Sequence, residues 1–225
     1  MDHRPVVVLL HGLARSQLSM RGLANFLEAQ GFATWTWTWP SRSVPVAEAA
    51  RQVQAKLLAD LGLQADGPLP PICAVTHSLG GIVALQLSQR VPLHRAVLLA
   101  PPVRGSRVAK AFVDWKLFHW FYGPAGMQVA QPPPDWHAPG EIGALGVIAG
   151  TQGLHWSNPV SWATRALGVL PAGLRSDGTV AADETRPPQA HDYAEVQATH
   201  TWIMDDPQVR KMVVSFLQSG GFGPP

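Results

Sequence analysis

Cysteine is nearly absent from this sequence: Cys73 is the only one among 225 residues. A lone cysteine cannot form a disulfide within its own chain, so the core must stabilise the fold, and a reducing compartment is the expected location. Cys73 lies within an apolar run, which is typical of a small buried side chain. A chain of this length buries roughly 70–75% of its unfolded surface and needs no covalent staple.

Long apolar segments are also missing. The sequence contains no run of about 18 apolar residues, the length that a membrane-spanning helix requires. Residues 1–5 lead directly into the apolar residues 6–10, without the apolar region and small-residue cleavage site of a secretory signal. We therefore expect a cytoplasmic protein without a transmembrane segment.

Charged residues are scarce, at 14% of the chain against roughly 25% in an ordinary globular protein. The net charge is only +2 and the basic residues are scattered, which argues against nucleic acid as a partner. No histidines or cysteines have the H-E-x-x-H or C-x-x-C spacing of zinc ligands, so no metal site is expected. The nine tryptophans leave open an apolar substrate or a lipid or other apolar interface, although a large core explains the same composition.

The sequence does contain apolar runs of strand length that alternate with segments of helical period. This alternation predicts an α/β fold with a mostly parallel sheet and helices on both faces, in a single domain spanning residues 1–225. The predicted strands cover residues 6–10, 34–40, 72–75, 96–100, 144–149 and 193–197, and the main helices cover 19–30, 45–61, 79–90 and 207–219.

Threonine and tryptophan alternate strictly in the second predicted strand, Thr34 to Pro40. Side chains alternate between the two faces of a strand, so the three tryptophans share one face. Proline at the end of such a segment indicates an edge strand. Core packing is the favoured interpretation of the three indole rings.

The third predicted strand runs into a helix through Thr-His-Ser-Leu-Gly at residues 76–80. Apart from threonine in its first position, this is the G-x-S-x-G pattern of a nucleophile elbow, a tight strand-to-helix turn that presents its serine at the carboxyl end of the strand. Gly80 would let the helix pass close to the strand, where a side chain would clash. Ser78 is therefore a candidate nucleophile, with an ordinary turn as the alternative.

A serine nucleophile needs a base that accepts its proton, and in this arrangement the acid and the histidine follow the serine in the chain. Asp177 lies in the loop after the predicted strand 144–149, and His200 lies between the last strand and the last helix. We predict a triad of Ser78, Asp177 and His200, in which the aspartate fixes the imidazole tautomer and the histidine acts as base and then as acid.

Other residues compete for both partner roles. Asp-Gly at 177–178 is also an ordinary turn signal, and the alternative acids are Asp183, Glu184 and Asp192. His155 and His191 lie in loops of the same half of the chain, but neither directly follows the predicted last strand. His200 is therefore favoured.

The oxyanion of the reaction needs two backbone N–H donors. We expect Leu79, which follows the serine, to supply one. The other should come from the loop that begins His-Gly-Leu at residues 11–13. Gly12 frees that backbone to turn, so we assign the second donor to Leu13, with a simple strand-to-helix turn as the alternative.

Residues 103–140 lie between two predicted strands and carry apolar residues at helical spacing. Such a segment could line an acyl pocket, lie on lipid or pack in the core. The spaced residues are Val108, Phe112, Trp115, Phe118 and Tyr122, with Trp120 and Trp136 adding aromatic surface. The candidate substrate-binding residues are His11, His77, Trp115, Phe118 and Trp120.

With these motifs in order, the chain resembles the α/β-hydrolase superfamily, and within it the small bacterial lipase-like and esterase-like hydrolases. The resemblance is carried by His-Gly-Leu at 11–13, Thr-His-Ser-Leu-Gly-Gly at 76–81, Asp-Gly-Thr-Val at 177–180 and Thr-His-Thr at 199–201. It implies a minimal form of that fold, with about six parallel strands and a small helical cap at about 103–140.

The resemblance also implies hydrolysis of a small-molecule carboxylic ester through an acyl-enzyme, without a cofactor. The same triad could run acyl transfer, or thioester or amide hydrolysis. A binding module that has kept the fold without the activity is a further alternative, because fold does not imply function.

Overall fold

Six parallel strands form a single sheet in the computed structural model, which describes residues 5–64, 67–134, 136, 138–153, 164, 168–171 and 173–223. The strands are β1 (Val6–Leu10), β2 (Ala33–Thr36), β3 (Ile72–His77), β4 (Leu93–Leu99), β5 (Ile142–Gly150) and β6 (Asp192–Val196). Their order across the sheet is β2-β1-β3-β4-β5-β6, and every neighbouring pair is parallel. The predicted α/β class and six-stranded sheet are confirmed.

Helices cover both faces of this sheet. The described helices are α1 (Arg21–Ala29), α2 (Val46–Leu61), α3 (Leu79–Leu87), α4 (Arg107–Phe112), α5 (Lys116–Ala130) and α6 (Pro207–Ser219). In β1, Val8 and Leu10 enter a core shared with α2 and α3, whereas Val7 and Leu9 enter a second core shared with α1 and α6. The period of two in a strand therefore divides the apolar residues between two layers. No described helix has the length and apolarity needed to cross a membrane.

Local signals explain where the last helix begins and ends. The Asp206 carboxylate accepts hydrogen bonds from the N–H groups of Gln208 and Val209 at 2.8 and 3.0 Å, as an N-cap residue does. Pro207 occupies the first turn, where its missing N–H costs nothing. Gly220, at φ 85°, ends the helix in the left-handed conformation. The predicted bounds of this helix are confirmed.

The tryptophan-rich strand is shorter than predicted. β2 is an edge strand, as expected, but it ends at Thr36, which is in register with Leu9 of β1. β1 extends only one residue further, to Leu10, so the chain beyond Trp37 has no residue of β1 to pair with. Trp39 is nevertheless 1% exposed, and its indole N–H donates a hydrogen bond to the carbonyl of His11 at 3.1 Å.

The segment between β4 and β5 contains α4 and α5, which contact each other and which we call the cap (residues 107–130). The spacing of apolar residues from Val108 to Tyr122 suggests one helix. The structure has two helices instead, because α4 ends at Phe112 and α5 begins at Lys116. A second bend occurs inside α5 at Gly123, at φ 61°. A Cβ atom there would lie 1.8 Å from the carbonyl oxygen of Arg42, so only glycine allows α5 to approach the loop before α2 this closely.

Candidate active site

Ser78 lies at the turn between β3 and α3 with φ 53° and ψ −125°. A positive φ is unfavourable for a residue with a side chain, so the surroundings must hold this turn. The N–H of Ser78 donates to the carbonyl of Leu99 at 2.8 Å. A Cβ atom at Gly80 would lie 2.5 Å from the carbonyl oxygen of Leu10 and 2.7 Å from that of His11. The expectation that Gly80 permits a close approach is confirmed, with the end of β1 as the neighbour that a side chain would strike.

A continuous chain of hydrogen bonds joins Ser78, His200 and Asp177. Nε2 of His200 lies 3.0 Å from Oγ of Ser78, and Nδ1 of His200 lies 2.7 Å from Oδ2 of Asp177. The Asp177 carboxylate can only accept from Nδ1, which leaves Nε2 free to accept the serine proton. Parallel strands end at one edge of the sheet, and the loops beyond β3, β5 and β6 bring the three residues together there.

The Asp-Gly turn fixes the carboxylate of Asp177, which is 1% exposed. Oδ1 accepts hydrogen bonds from the N–H groups of Thr179 and Val180 at 3.0 and 2.8 Å. The carbonyl of Asp177 also accepts a hydrogen bond from the N–H of His200 at 3.1 Å. The turn therefore fixes the carboxylate of Asp177, and its backbone is bonded directly to the loop after β6, which carries His200 and which we call the histidine loop.

The rival residues have other partners. Asp183 forms an ion pair with Arg107 at 2.7 Å, and Glu184 accepts hydrogen bonds from the N–H groups of Ala181 and Arg107 at 2.9 and 2.8 Å. Asp192 and His191 accept hydrogen bonds from the N–H groups of Phe222 at 2.8 Å and Leu145 at 3.0 Å. His155 lies outside the described residues.

The loop after β1 lies against the serine. A Cβ atom at Gly12 would lie 3.1 Å from Cβ of Ser78 and 2.9 Å from Nδ1 of His77. Leu13 and Leu79 line the same cavity as Ser78. No described residue accepts a hydrogen bond from the N–H of either leucine, so both donors are available to a ligand.

His77 is buried beside the triad. Its Nε2–H donates to the carbonyl of His200 at 2.8 Å, and the two imidazole rings are 4.8 Å apart between centroids. Burial, assisted by the positive charges that His200 and Arg15 can carry, lowers the pKa of His77 well below 6.5. A neutral His77 therefore fixes the backbone of the histidine loop, while its Nδ1 has no partner among the described residues.

His11 does not line the cavity. Its ring is fully buried and stacks on Trp39 at 5.2 Å between centroids, and its Nδ1–H donates to the carbonyl of Gly12 at 2.8 Å. Burial lowers the pKa of His11 from 6.5 to about 4, a shift that the hydrogen bond to Gly12 opposes and the charge of Arg15 assists. His11 thus packs against the loop after β1 as a neutral side chain.

A cavity of about 540 Å³ opens over the triad. Its apolar wall comes mainly from the cap, through Val108, Phe112, Trp115, Phe118, Tyr122 and Val129. Trp115 and Phe118 therefore lie where the sequence predicts an acyl pocket. Trp120 does not, because it is 74% exposed and outside the cavity lining. Trp136 is 3% exposed and donates its indole N–H to the carbonyl of Val103 at 2.9 Å, so it packs in the core.

Sequence reasoning missed several further residues of the cavity wall, among them Arg15 and Thr201. Arg15 follows Leu13 by two positions and Thr201 directly follows His200. Their nearness in sequence to predicted site residues was the available signal.

Comparison with known proteins identifies the family of the chain. A model of the alpha/beta hydrolase family matches residues 7–222, so the chain belongs to that family. No curated protein sequence gives a significant match.

Solved structures with a similar fold include esterases and lipases. The mature form of the Bacillus licheniformis lipase BlEst2 superimposes with a TM-score of 0.67 at 14% identity, covering 98% of this chain and 94% of that one. The metagenomic carboxyl esterase MGS0156 gives a TM-score of 0.64 at 19% identity, covering 89% and 65%. A malate-bound thermophilic esterase from Thermogutta terrifontis gives 0.57 at 15%, covering 96% and 90%. At these identities the likeness is one of fold.

Proposed function

We propose that the protein hydrolyses carboxylic esters of small-molecule substrates through an acyl-enzyme. The observation that carries the proposal is the hydrogen-bonded chain from Ser78 through His200 to the buried carboxylate of Asp177. The esterase and lipase neighbours agree with this choice of substrate class.

The first half of the proposed reaction forms the acyl-enzyme. Oγ of Ser78 attacks the ester carbonyl carbon while Nε2 of His200 takes the hydroxyl proton. Asp177 stabilises the resulting imidazolium and holds its orientation. The N–H groups of Leu13 and Leu79 receive the negative charge that develops on the carbonyl oxygen. The tetrahedral intermediate collapses as His200 protonates the departing alcohol.

The second half releases the acid. His200, neutral again, takes a proton from a water molecule that attacks the acyl carbonyl, and a second tetrahedral intermediate forms. His200 then returns the proton to Oγ of Ser78, which restores the enzyme.

The cap suggests an apolar acyl group. Trp115 and Phe118 line the cavity, whereas Trp120 is exposed and available to a lipid or other apolar surface. We propose the cavity as the acyl site and the exposed edge of the cap as the place where such a surface would meet the protein.

Hydrolysis of p-nitrophenyl esters from acetate to palmitate, by the wild type and by Ser78→Ala, tests this function. Circular dichroism of both proteins supplies the folding control. We expect turnover only in the wild type, with an optimum of chain length set by the cavity. Equal turnover in the two folded proteins would contradict the proposal. Turnover absent from both, even with an added alcohol as acyl acceptor, would favour a binding module.

A further inference from the structure

Among the described residues that line the cavity over Ser78, Arg15 is the one with a permanently charged side chain. No acidic side chain lines this cavity in the described part of the chain. A fixed positive charge beside an apolar acyl site has no part in the ester chemistry proposed above.

Two loops of the site hold Arg15 in place. Its backbone belongs to the loop after β1, two residues beyond Leu13, and its Nη1–H donates to the carbonyl of Thr201 at 2.9 Å. Thr201 directly follows His200 and lines the same cavity. The guanidinium therefore links the loop after β1 to the histidine loop.

The charge of Arg15 lacks a close counterion. No carboxylate of a described residue forms an ion pair with it. Asp205 raises the pKa of Arg15 only through its more distant charge, and that carboxylate is itself paired with Arg210 at 2.6 Å. Partial burial lowers the pKa of Arg15, which means that its charge has lost part of its hydration.

Arg15 also acts electrostatically on the histidines of the site. Its charge contributes to lowering the pKa of both His77 and His11, and its hydrogen bond to Thr201 places the guanidinium beside the residue that follows His200. A bound anion would replace the lost hydration, and a guanidinium offers paired N–H donors that match a carboxylate or a phosphate.

We propose that the physiological ester carries an anionic group, a carboxylate or a phosphate, which pairs with Arg15 while the apolar part of the molecule contacts the cap. This inference rests on the proposed function and adds a substrate class to it. The substrate is then an amphiphile whose charge lies close to the scissile ester.

Two matched pairs of esters test whether the anionic group of the substrate lies on the acyl side or the alcohol side of the scissile bond. On the acyl side, p-nitrophenyl hydrogen glutarate is compared with p-nitrophenyl hexanoate. On the alcohol side, 3-carboxy-4-nitrophenyl butyrate is compared with 4-nitrophenyl butyrate. The readout is the ratio of kcat/KM for the charged and the neutral ester, compared between variants so that intrinsic ester reactivity cancels.

We expect Arg15→Gln to lower this ratio about 10–100-fold in one of the two pairs, which is the effect of losing a hydrogen bond between charged groups. The loss should appear mainly in KM, and Arg15→Lys should retain part of the preference. Arg21→Gln, which removes an exposed charge outside the cavity, is the control and should leave the ratio unchanged. A folded Arg15→Gln protein with unchanged ratios in both pairs would overturn the proposal.

Binding separates this inference from catalysis. Phenyl phosphate, measured by calorimetry, should bind to Ser78→Ala and bind at least 10-fold more weakly to Ser78→Ala with Arg15→Gln. If the wild type hydrolyses neutral esters but phenyl phosphate binds both proteins equally, the role of Arg15 fails and the proposed function stands. If binding of phenyl phosphate depends on Arg15 but the wild type hydrolyses no ester, the role of Arg15 in binding an anion stands and the proposed function fails. Should Arg15→Gln not fold, Arg15→Met replaces it, because this variant also removes the charge while keeping an apolar stem. Binding equal to that of Ser78→Ala, with no change in either ester ratio, would then overturn the proposal.

Discussion

Single hydrogen bonds decide the chemistry at the residue scale, and those of Asp177 can be tested most directly. Asp177→Asn keeps the shape of the side chain, but its amide N–H₂ can donate to Nδ1 of His200 and so stabilise the wrong tautomer. We expect kcat to fall by roughly 10⁴ while the fold persists. Steady-state kinetics on p-nitrophenyl butyrate, with circular dichroism, measures both.

The matched control for Asp177→Asn is Asp183→Asn. Asp183 is an aspartate of the same loop whose partner is Arg107, so its loss should leave kcat within about twofold, because exposed ion pairs contribute little. If instead Asp183→Asn loses activity and Asp177→Asn remains active, the acid has been assigned to the wrong residue.

His77 gives a second prediction at this scale. It positions the histidine loop by donating Nε2–H to the carbonyl of His200, and His77→Leu would leave that carbonyl unpaired, at a cost of about 1–3 kcal/mol. We expect kcat for p-nitrophenyl butyrate to fall about 10–100-fold with little change in KM.

A second substitution of His77 distinguishes a role in positioning the histidine loop from a role in packing. The side-chain amide of His77→Gln can still donate a hydrogen bond, so this variant should recover much of the lost kcat. Equal losses in the glutamine and leucine variants would show that His77 acts through packing alone.

The cap is the element that should set substrate preference. Trp115 and Phe118 line the cavity, whereas Trp120, from the same helical region, does not. Trp115→Ala and Phe118→Ala enlarge the apolar wall, so we expect the optimal acyl chain to lengthen by about two to four carbons, at about 0.8 kcal/mol per buried methylene. The measurement is kcat/KM across p-nitrophenyl esters from acetate to palmitate.

Trp120→Ala is the control for the cap. It removes a similar indole from an exposed position and should leave the acyl optimum in place. An unchanged optimum in folded Trp115→Ala and Phe118→Ala, or the same shift in Trp120→Ala, would contradict the acyl-site interpretation.

Elements differ in how far they could be predicted from sequence. The helix from Pro207 was predictable because its cap, its proline and its terminal glycine are local signals. The end of β2 was not, because it depends on where its partner β1 stops. The bend at Gly123 also depends on packing, since the carbonyl that excludes a side chain there belongs to the distant residue Arg42.

The same distinction holds for the site. Ser78, Asp177 and His200 stand beside turn and strand signals in a recognisable order, and the structure brings them together. Arg15 and the hydrogen bond of His77 depend on contacts between residues 186 and 123 positions apart. A linear pattern does not contain such contacts.

At the scale of the whole molecule, buried histidines make stability depend on pH. The pKa of His11 is about 4 in the folded protein, mainly through burial, against 6.5 when exposed. The unfolded chain therefore binds more protons between these values, and the free energy of unfolding falls as pH decreases. From pH 7 to 4 we expect a loss of roughly 2–3 kcal/mol from His11, with His77 acting in the same direction.

Urea unfolding at a series of pH values measures this loss. His11→Phe removes the titrating group and should flatten the pH dependence, whereas substitution of the exposed His94 by glutamine should not. If the free energy of unfolding falls equally with pH in His11→Phe and in the wild type, His11 is not the source of the loss. Should His11→Phe not fold, the wild type alone gives the test. A free energy of unfolding that stays constant from pH 7 to 4 would contradict the contribution assigned to His11.

The most direct test of the central claim, that Ser78 is the activated nucleophile of an ester hydrolase, is labelling with a fluorophosphonate followed by intact-mass and peptide mass spectrometry. We predict one adduct per wild-type chain, located on Ser78, no adduct on Ser78→Ala, and strongly slowed labelling of folded His200→Ala. An unlabelled wild type, or an adduct on another residue that persists in Ser78→Ala, would contradict the account.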